Sequence, residues 1–159
     1  MSQAEAEQNF VEAGTLYLVA TPLGNRSDIT LRALSVLKGV DCIACEDTRT
    51  SQKLLTYYGI EKPLIAYHEH NERSQSEALL GRLQAGESIA VITDAGTPNI
   101  SDPGFRIVRA CRAASMPVVA VPGPSALVVA LSASGLPTHQ FFYAGFLAPK
   151  KAARQRFCP

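Results

Sequence analysis

The sequence predicts an α/β fold: an open, mainly parallel sheet with helices on both faces, followed by the start of a second α/β domain. Three observations predict it. Short apolar runs rich in Val, Ile, Leu and Ala recur along the chain, stretches with helical spacing separate them, and glycine stands where most of those stretches stop. Strand-like runs cover residues 15–20, 41–45, 64–67, 88–93 and 117–121. Leu31, Leu34 and Leu37 form a first helix ending at Gly39, and Leu54, Leu55 and Tyr58 a second ending at Gly59; both glycines suit the left-handed position after a helix. Ala78, Leu79 and Leu83 belong to a third helix that closes at Gly86. The fourth is expected to begin with Asp102 as N-cap and Pro103 at its first position, burying Ile107, Val108 and Cys111. A fifth helix over 125–133 and a strand over 141–144 follow. Alternation of this kind implies parallel strands joined by right-handed crossovers.

With 159 residues, 47% hydrophobic and 18% charged, the chain has the composition of a soluble globular protein that can build its own core. The expected organisation is a mobile tail over 1–14, an α/β cofactor and substrate domain over 15–122, and the beginning of a second domain over 123–159. A net charge of +1 means that a polyanionic partner would have to be held by a local patch. Cys42, Cys45 and Cys111 lie in apolar segments and Cys158 is nearly terminal, so all four read as thiols in a reducing cytoplasm. The Cys42-Ile43-Ala44-Cys45 spacing matches a redox or zinc motif, but residues three apart on a strand point to opposite faces, which favours a structural role. No run reaches the roughly 18 apolar residues of a membrane span, and the first 14 residues lack the basic start and apolar middle of a signal peptide.

Function shows first as an asymmetry between loops. In a parallel sheet all strand-to-helix turns lie on one edge and all helix-to-strand turns on the other. The helix-to-strand turns here, at 38–40, 59–63, 85–87 and 115–116, are plain. The strand-to-helix turns, at 21–25, 46–49, 68–73, 94–104 and 122–125, are dense in polar residues, Gly and Pro. Ordinary solvated turns are also polar, but that reading does not explain why only one edge is elaborated. Neither G-x-G-x-x-G nor G-x-x-x-x-G-K-[ST] occurs, so the ligand is a nucleoside cofactor held in some other way. The 94–104 segment, Asp94-Ala95-Gly96-Thr97-Pro98-Asn99-Ile100-Ser101-Asp102-Pro103-Gly104, has small residues that allow close backbone approach and prolines that fix its path.

Five segments in order carry a resemblance: Leu18-Val19-Ala20-Thr21-Pro22-Leu23-Gly24-Asn25, Glu46-Asp47-Thr48-Arg49, Tyr67-His68-Glu69-His70-Asn71-Glu72, the 94–104 loop, and Val121-Pro122-Gly123-Pro124-Ser125-Ala126. The chain resembles the tetrapyrrole methylase superfamily, nearest its bacterial 16S rRNA cytidine-2'-O-methyltransferase branch, over about residues 14–151. The resemblance implies a homodimeric two-domain enzyme that binds S-adenosyl-L-methionine between its domains. It also implies that the acceptor is a ribose 2'-hydroxyl in the decoding centre of 16S rRNA, within the small ribosomal subunit. Gly96-Thr97-Pro98 corresponds to the Gly-Asp-Pro loop of the corrin branch. Cofactor contacts carried over by the resemblance are Leu23, Gly24, Gly96, Thr97, Ile100, Ser101, Asp102, Ser125 and Ala126. Because such enzymes continue well beyond this length, the chain reads as a fragment, expected to be inactive alone.

Methyl transfer to an alcohol is an in-line displacement, so the protein must align the 2'-oxygen and help remove its proton. Asp47, His68 and Glu46 are the candidates for that second task, and Arg49 for holding a phosphate. For Glu46 and Asp47 the competing role is charge stabilisation at a helix N-terminus. His68 and His70 with Glu69 or Glu72 would make a metal site, but no third ligand has fixed spacing, and RNA contact is the preferred reading. Lys150 and Lys151 open a basic run through Arg156 that suits RNA or a solvated helix face. Tyr17, Tyr57, Tyr58 and Tyr67 read mainly as core residues rather than base-stacking platforms. The nearly continuous apolar run 140–147 reads as a strand buried on both faces, expected to fold back on the first domain or pair with a second copy. Two other functions stay open: methylation of a tetrapyrrole or other small acceptor, and a non-catalytic binding or dimerisation module.

Overall fold

Every one of the first five apolar runs is a strand: β1 (Leu16–Val19), β2 (Cys42–Cys45), β3 (Leu64–Ala66), β4 (Ile89–Ile92) and β5 (Val118–Val121). The computed structural model describes residues 11–157. The strands pair in parallel in the order β3-β2-β4-β1-β5. Between them run α1 (Leu31–Gly39), α2 (Thr48–Tyr57), α3 (Glu72–Gln84) and α4 (Phe105–Ala113). Helix α5 (Ala126–Ala133) follows the last strand, and α6 (Lys151–Phe157) closes the described chain.

Side-chain alternation divides the core between the two faces of the sheet. Ala90 and Ile92 of β4 pack with Val36, Leu37 and Leu55 from α1 and α2. Ile89 and Val91 pack with Leu79, Leu83, Ile107 and Cys111 from α3 and α4. The inner strands β2 and β4 are buried on both faces, as a parallel sheet covered by helices requires, while the edge strands β3 and β5 are partly exposed. Cys42 and Cys45 fall in opposite clusters, so the two thiols of the C-x-x-C spacing do not share a site. Burial pushes both thiols up, and Cys111 to about 11, which keeps them protonated at neutral pH. Cys158 lies outside the described residues.

Several local expectations need correction. Gly39 is the last residue of α1 rather than the residue beyond it, and Val40 takes the C-cap with its N–H on Val36 O. Gly59 and Gly86 do adopt positive φ after α2 and α3. Asp102 does not cap α4, and Pro103 is not its first residue: the N-cap is Gly104, at φ 143°, without a side-chain cap of its own. The missing acceptor comes from another helix. Glu72 Oε1, at the start of α3, accepts from the N–H groups of Gly104 (3.1 Å) and Arg106 (3.2 Å).

The chain divides into two compact units, with the boundary between Ala126 and Leu127. In the first, residues 1–10 of the expected tail lie outside the described residues, whereas Glu12 N–H bonds Tyr17 Oη and Gly14 N–H bonds Gly86 O. The second unit contains no buried residue among those described. Its 141–144 segment is not a strand, and within the 140–147 run Phe142 and Phe146 are 82% and 86% exposed. A strand needs a neighbour to satisfy its backbone, and the described residues of this unit supply none.

Candidate functional site

The strand order determines where a ligand can enter. The crossover after β1 runs leftward to β2, while the one after β4 runs rightward past β1 to β5. β1 and β4 are neighbours whose connections leave in opposite directions, which makes the turns at their carboxyl ends the topological switch point, where open α/β sheets bind ligands. Those are the 21–25 and 94–104 turns.

Backbone pairing ties them together. Thr21 N–H donates to Gly96 O and Gly96 N–H donates to Thr21 O, both at 2.9 Å, forming a two-residue antiparallel bridge outside the main sheet. The buried Thr21 hydroxyl donates to Thr93 O at 3.0 Å, anchoring the bridge to the end of β4. Thr97 Oγ1 donates to Pro124 O at 3.0 Å and brings in the turn after β5. Three of the five strand-to-helix turns are thus joined at the switch point. Gly96 requires its lack of a side chain twice over. Its φ is 85°, and a Cβ there would sit 3.2 Å from Leu23 Cδ2. Asn99 and Ser101 also take positive φ, so the loop holds a backbone path that ordinary residues avoid.

Most of the expected cofactor residues fall on these three turns. Leu23 and Gly24 are exposed after β1; Gly96 is buried and Thr97 half-buried below them; Ile100, Ser101 and Asp102 continue the same loop; Ser125 and Ala126 end the turn after β5. Glu46, Asp47 and Arg49 lie on the next turn, after β2, and His68 after β3. Lys150 and Lys151 belong to the second unit, exposed at the start of α6.

The candidate proton acceptors differ in electrostatics. Asp47 caps α2: its Oδ1 accepts from Arg49 N–H (2.8 Å) and Thr50 N–H (3.3 Å), which holds the carboxyl below the usual range. Glu46 is shifted the other way, by burial first and then by the charges of Asp94 and Asp102. Asp94 and Asp102 are likewise raised, each by burial and then by a neighbouring carboxylate. In the sequence, the only signal of Asp94 is its place at the end of β4. His68 has its backbone N–H on Asn71 Oδ1 at 2.8 Å, and its Nδ1 is buried without a hydrogen-bond partner. The rings of His68 and His70 stand 6.0 Å apart, and among the described residues no group of three or more His, Cys, Asp or Glu is arranged to hold a metal ion.

Glu72 is the residue whose importance the sequence concealed. Besides the two α4 amides it accepts from Tyr67 Oη at 3.1 Å, and its Oε2 lies 3.7 Å from Arg106 Nε. The hydroxyl of Tyr67, whose ring is buried, also bonds Ser76 Oγ at 3.0 Å. One carboxylate therefore joins the end of the 94–104 loop to the turn after β3. The exposed ring of Tyr57 is a second difference: it lies on the outside of α2, not in the core.

Residues 15–157 match the tetrapyrrole (corrin/porphyrin) methylases. A protein of Xylella fastidiosa named ribosomal RNA small subunit methyltransferase I is 54% identical over 89% of this chain and 52% of its own length. The protein of that name from Escherichia coli O157:H7 is 51% identical over 98% of the chain and 54% of its own length. The chain thus spans about half the length of the curated relatives it matches. Among solved structures, uroporphyrin-III-C-methyltransferase from Thermus thermophilus superposes with a TM-score of 0.59 at 28% identity, over 79% of this chain and 54% of that one. Sheet order, the bridged turns at the switch point and the match over almost the whole described chain converge: the chain belongs to the tetrapyrrole methylase family.

Proposed function

We propose that this chain provides the S-adenosyl-L-methionine-binding edge of a methyltransferase acting on the ribose 2'-oxygen of a cytidine in the 16S rRNA decoding centre. The observation that carries the reading is the Thr21–Gly96 bridge at the switch point, with the Gly96 cradle beneath Leu23. The residues present fit the cofactor. Leu23 packs so closely over Gly96 that a Cβ would meet it at 3.2 Å, which fixes the backbone path of the two turns, and the carboxylates of Glu46, Asp94 and Asp102 favour a cationic group nearby. Leu23, Gly24, Gly96, Thr97, Ile100, Ser101, Asp102, Ser125 and Ala126 would hold it. The cofactor supplies a methyl group on a sulfonium.

What the chain's own residues do is orient the acceptor and take its proton. Glu46 is the better acceptor: burial and like charges raise its proton affinity, whereas Asp47 already spends its carboxylate on the α2 amides. His68, with Nδ1 buried and unpartnered, is the second candidate. Arg49, Lys150 and Lys151 are cations for RNA phosphates.

An rRNA acceptor is favoured over a tetrapyrrole by the relatives at 51–54% identity, against 28% for the porphyrin enzyme. A ribosomal substrate places the work in the cytoplasm. Within this reading a protein carried to the length of its relatives is a homodimer, and the 140–147 run pairs with further protein rather than standing bare. Sedimentation tests the dimer. The activity is tested by incubating small ribosomal subunits with methyl-labelled cofactor. Carried to the length of its relatives, the protein should label a cytidine 2'-oxygen, and the 159-residue chain alone should not. Label on a base, or turnover by the 159-residue chain alone, contradicts the proposal.

A further inference from the structure

We infer that the outer ridge of α2 binds single-stranded RNA, an inference that rests on the reading of the carboxyl edge as an RNA-methylation site and assigns it a substrate track. Ser51 and Leu55 bury one face of the helix. On the opposite face Arg49, Lys53 and Tyr57 recur every fourth residue and are all exposed, Tyr57 at 59%. At 1.5 Å rise per residue the row is about 12 Å long. It gains a third cation from outside the helix: the Arg26 guanidinium carbon lies 4.4 Å from the centroid of the Tyr57 ring.

This pair is held in place. Tyr58 meets Tyr57 edge-on at 5.0 Å between centroids, and the Tyr58 hydroxyl donates to the carbonyl of Arg26. A merely solvated helix surface needs no such fastening of an exposed tyrosine. No charge opposes the row within α2, which contains no Asp or Glu, and among the described residues none of Arg26, Arg49 or Lys53 is in a salt bridge. The nearby Asp47 carboxylate is engaged by the helix amides. Gln52 Nε2 donates to Thr56 Oγ1 on the adjoining strip of the helix, so that flank is neutral.

Three cations along a ridge fit a phosphate backbone, and an exposed ring stacked under arginine offers a platform for an unpaired base. The aromatic decides between nucleic-acid forms. In a duplex the base faces are already stacked, so Tyr57 could add nothing, whereas in a single-stranded loop a splayed base can reach it. The position also suits substrate delivery. Arg26 follows Gly24 by two residues, and Arg49 follows Asp47 by two, so both ends of the track join turns of the candidate site.

The test is fluorescence anisotropy of the 159-residue chain with a short labelled single-stranded RNA over a range of KCl concentrations. Arg49→Ala and Lys53→Ala should each lower the slope of log affinity against log salt by about 0.7. Tyr57→Ala should weaken binding about tenfold with the slope unchanged, and Tyr57→Phe should restore it. A duplex of the same sequence should be indifferent to Tyr57→Ala. The inference is overturned if the unchanged chain does not bind the RNA, if the Arg49 and Lys53 variants keep the full slope, or if Tyr57→Ala binds as the unchanged chain does. An acidic peptide competing as well as the RNA overturns it too. Titration of the same proteins with S-adenosyl-L-methionine should give one affinity throughout; no cofactor binding by any of them, with RNA binding as expected, would sink the cofactor reading and leave the track standing.

Discussion

The two edges of the sheet solve different problems with the same backbone. At the amino edge, polar groups are used to fasten strands: Ser88 N–H and Ser88 Oγ both donate to Asp41 Oδ2 at 2.7 Å, and Asp41 N–H returns a bond to Ser88 Oγ. These two residues satisfy each other within the protein, and Asp41 is held below the usual carboxyl range mainly by these bonds. The carboxyl edge does the reverse. Burial and then neighbouring carboxylates raise the proton affinity of Glu46, Asp94 and Asp102, Asn99 and Ser101 sit at positive φ, and His68 Nδ1 is buried without a partner. Ser115 shows that positive φ occurs at the amino edge as well, so it is the raised carboxylates and the unpaired buried atom that set the carboxyl edge apart.

Five substitutions should separate the edges, beginning with the one expected to change ligand affinity most. Gly96→Val forces a branched side chain onto φ 85° and into Leu23, and should lower S-adenosyl-L-methionine affinity by about tenfold or more, an energy of at least ~1.4 kcal/mol. Calorimetric titration of the folded variant measures it. Glu72→Ala removes the acceptor for Gly104, Arg106 and Tyr67, and should cost about 2–3 kcal/mol in urea unfolding, with Glu72→Gln recovering part. Hydrogen exchange should quicken at Gly104 and Arg106 in the Ala variant; unchanged protection there would show that the carboxylate is not the cap. Ser88→Ala, at the amino edge, should cost about 1 kcal/mol of stability and leave cofactor affinity untouched. A fall in affinity would show that the edges are not independent.

The smallest effect is in pH, and its sign differs between the edges. Asp41 has a lowered folded pKa, so its contribution is present above its ordinary value of 3.8 and fades as pH falls through the lower folded value. The raised pKa values of Glu46, Asp94 and Asp102 work oppositely: acidification protonates them in the folded state first, so stability rises as pH drops from above their raised values toward the ordinary 3.8–4.5. Replacing Asp94 by Asn should remove part of that rise, and replacing Asp41 by Asn should remove part of the later fall. Thermal unfolding of both variants from neutral to acid pH reads the two slopes, and like signs would contradict the contrast.

Much of this was legible in the sequence where local pattern and burial agree. The five strands and four crossover helices follow from apolar periodicity, and the elaborated edge from loop composition, because a parallel sheet assigns every turn an edge. Strand order was not legible, since it rests on long-range pairing, and without it the β1–β4 switch point could not be located. The cap of α4 was misassigned for a related reason: Asp102-Pro103 has the local signature of a helix start, but Glu72 satisfies the amides from 32 residues away. The 140–147 run had the composition of a buried strand, and composition cannot say whether a pairing strand is at hand. Of Tyr17, Tyr57, Tyr58 and Tyr67, Tyr57 is the one that stands on the exposed side of its helix, and its neighbour Tyr58, at the C-cap, packs partly buried beside it.

The central claim is that the bridged turns at the carboxyl edge hold S-adenosyl-L-methionine. Isothermal titration of the 159-residue chain with that cofactor, beside the Gly96→Val and Ser88→Ala variants, tests it most directly. Measurable, weak binding by the unchanged chain, the same affinity for Ser88→Ala, and a loss of about tenfold or more for Gly96→Val are the expected results. Equal affinity in a folded Gly96→Val protein, or no binding by the unchanged chain, would contradict it.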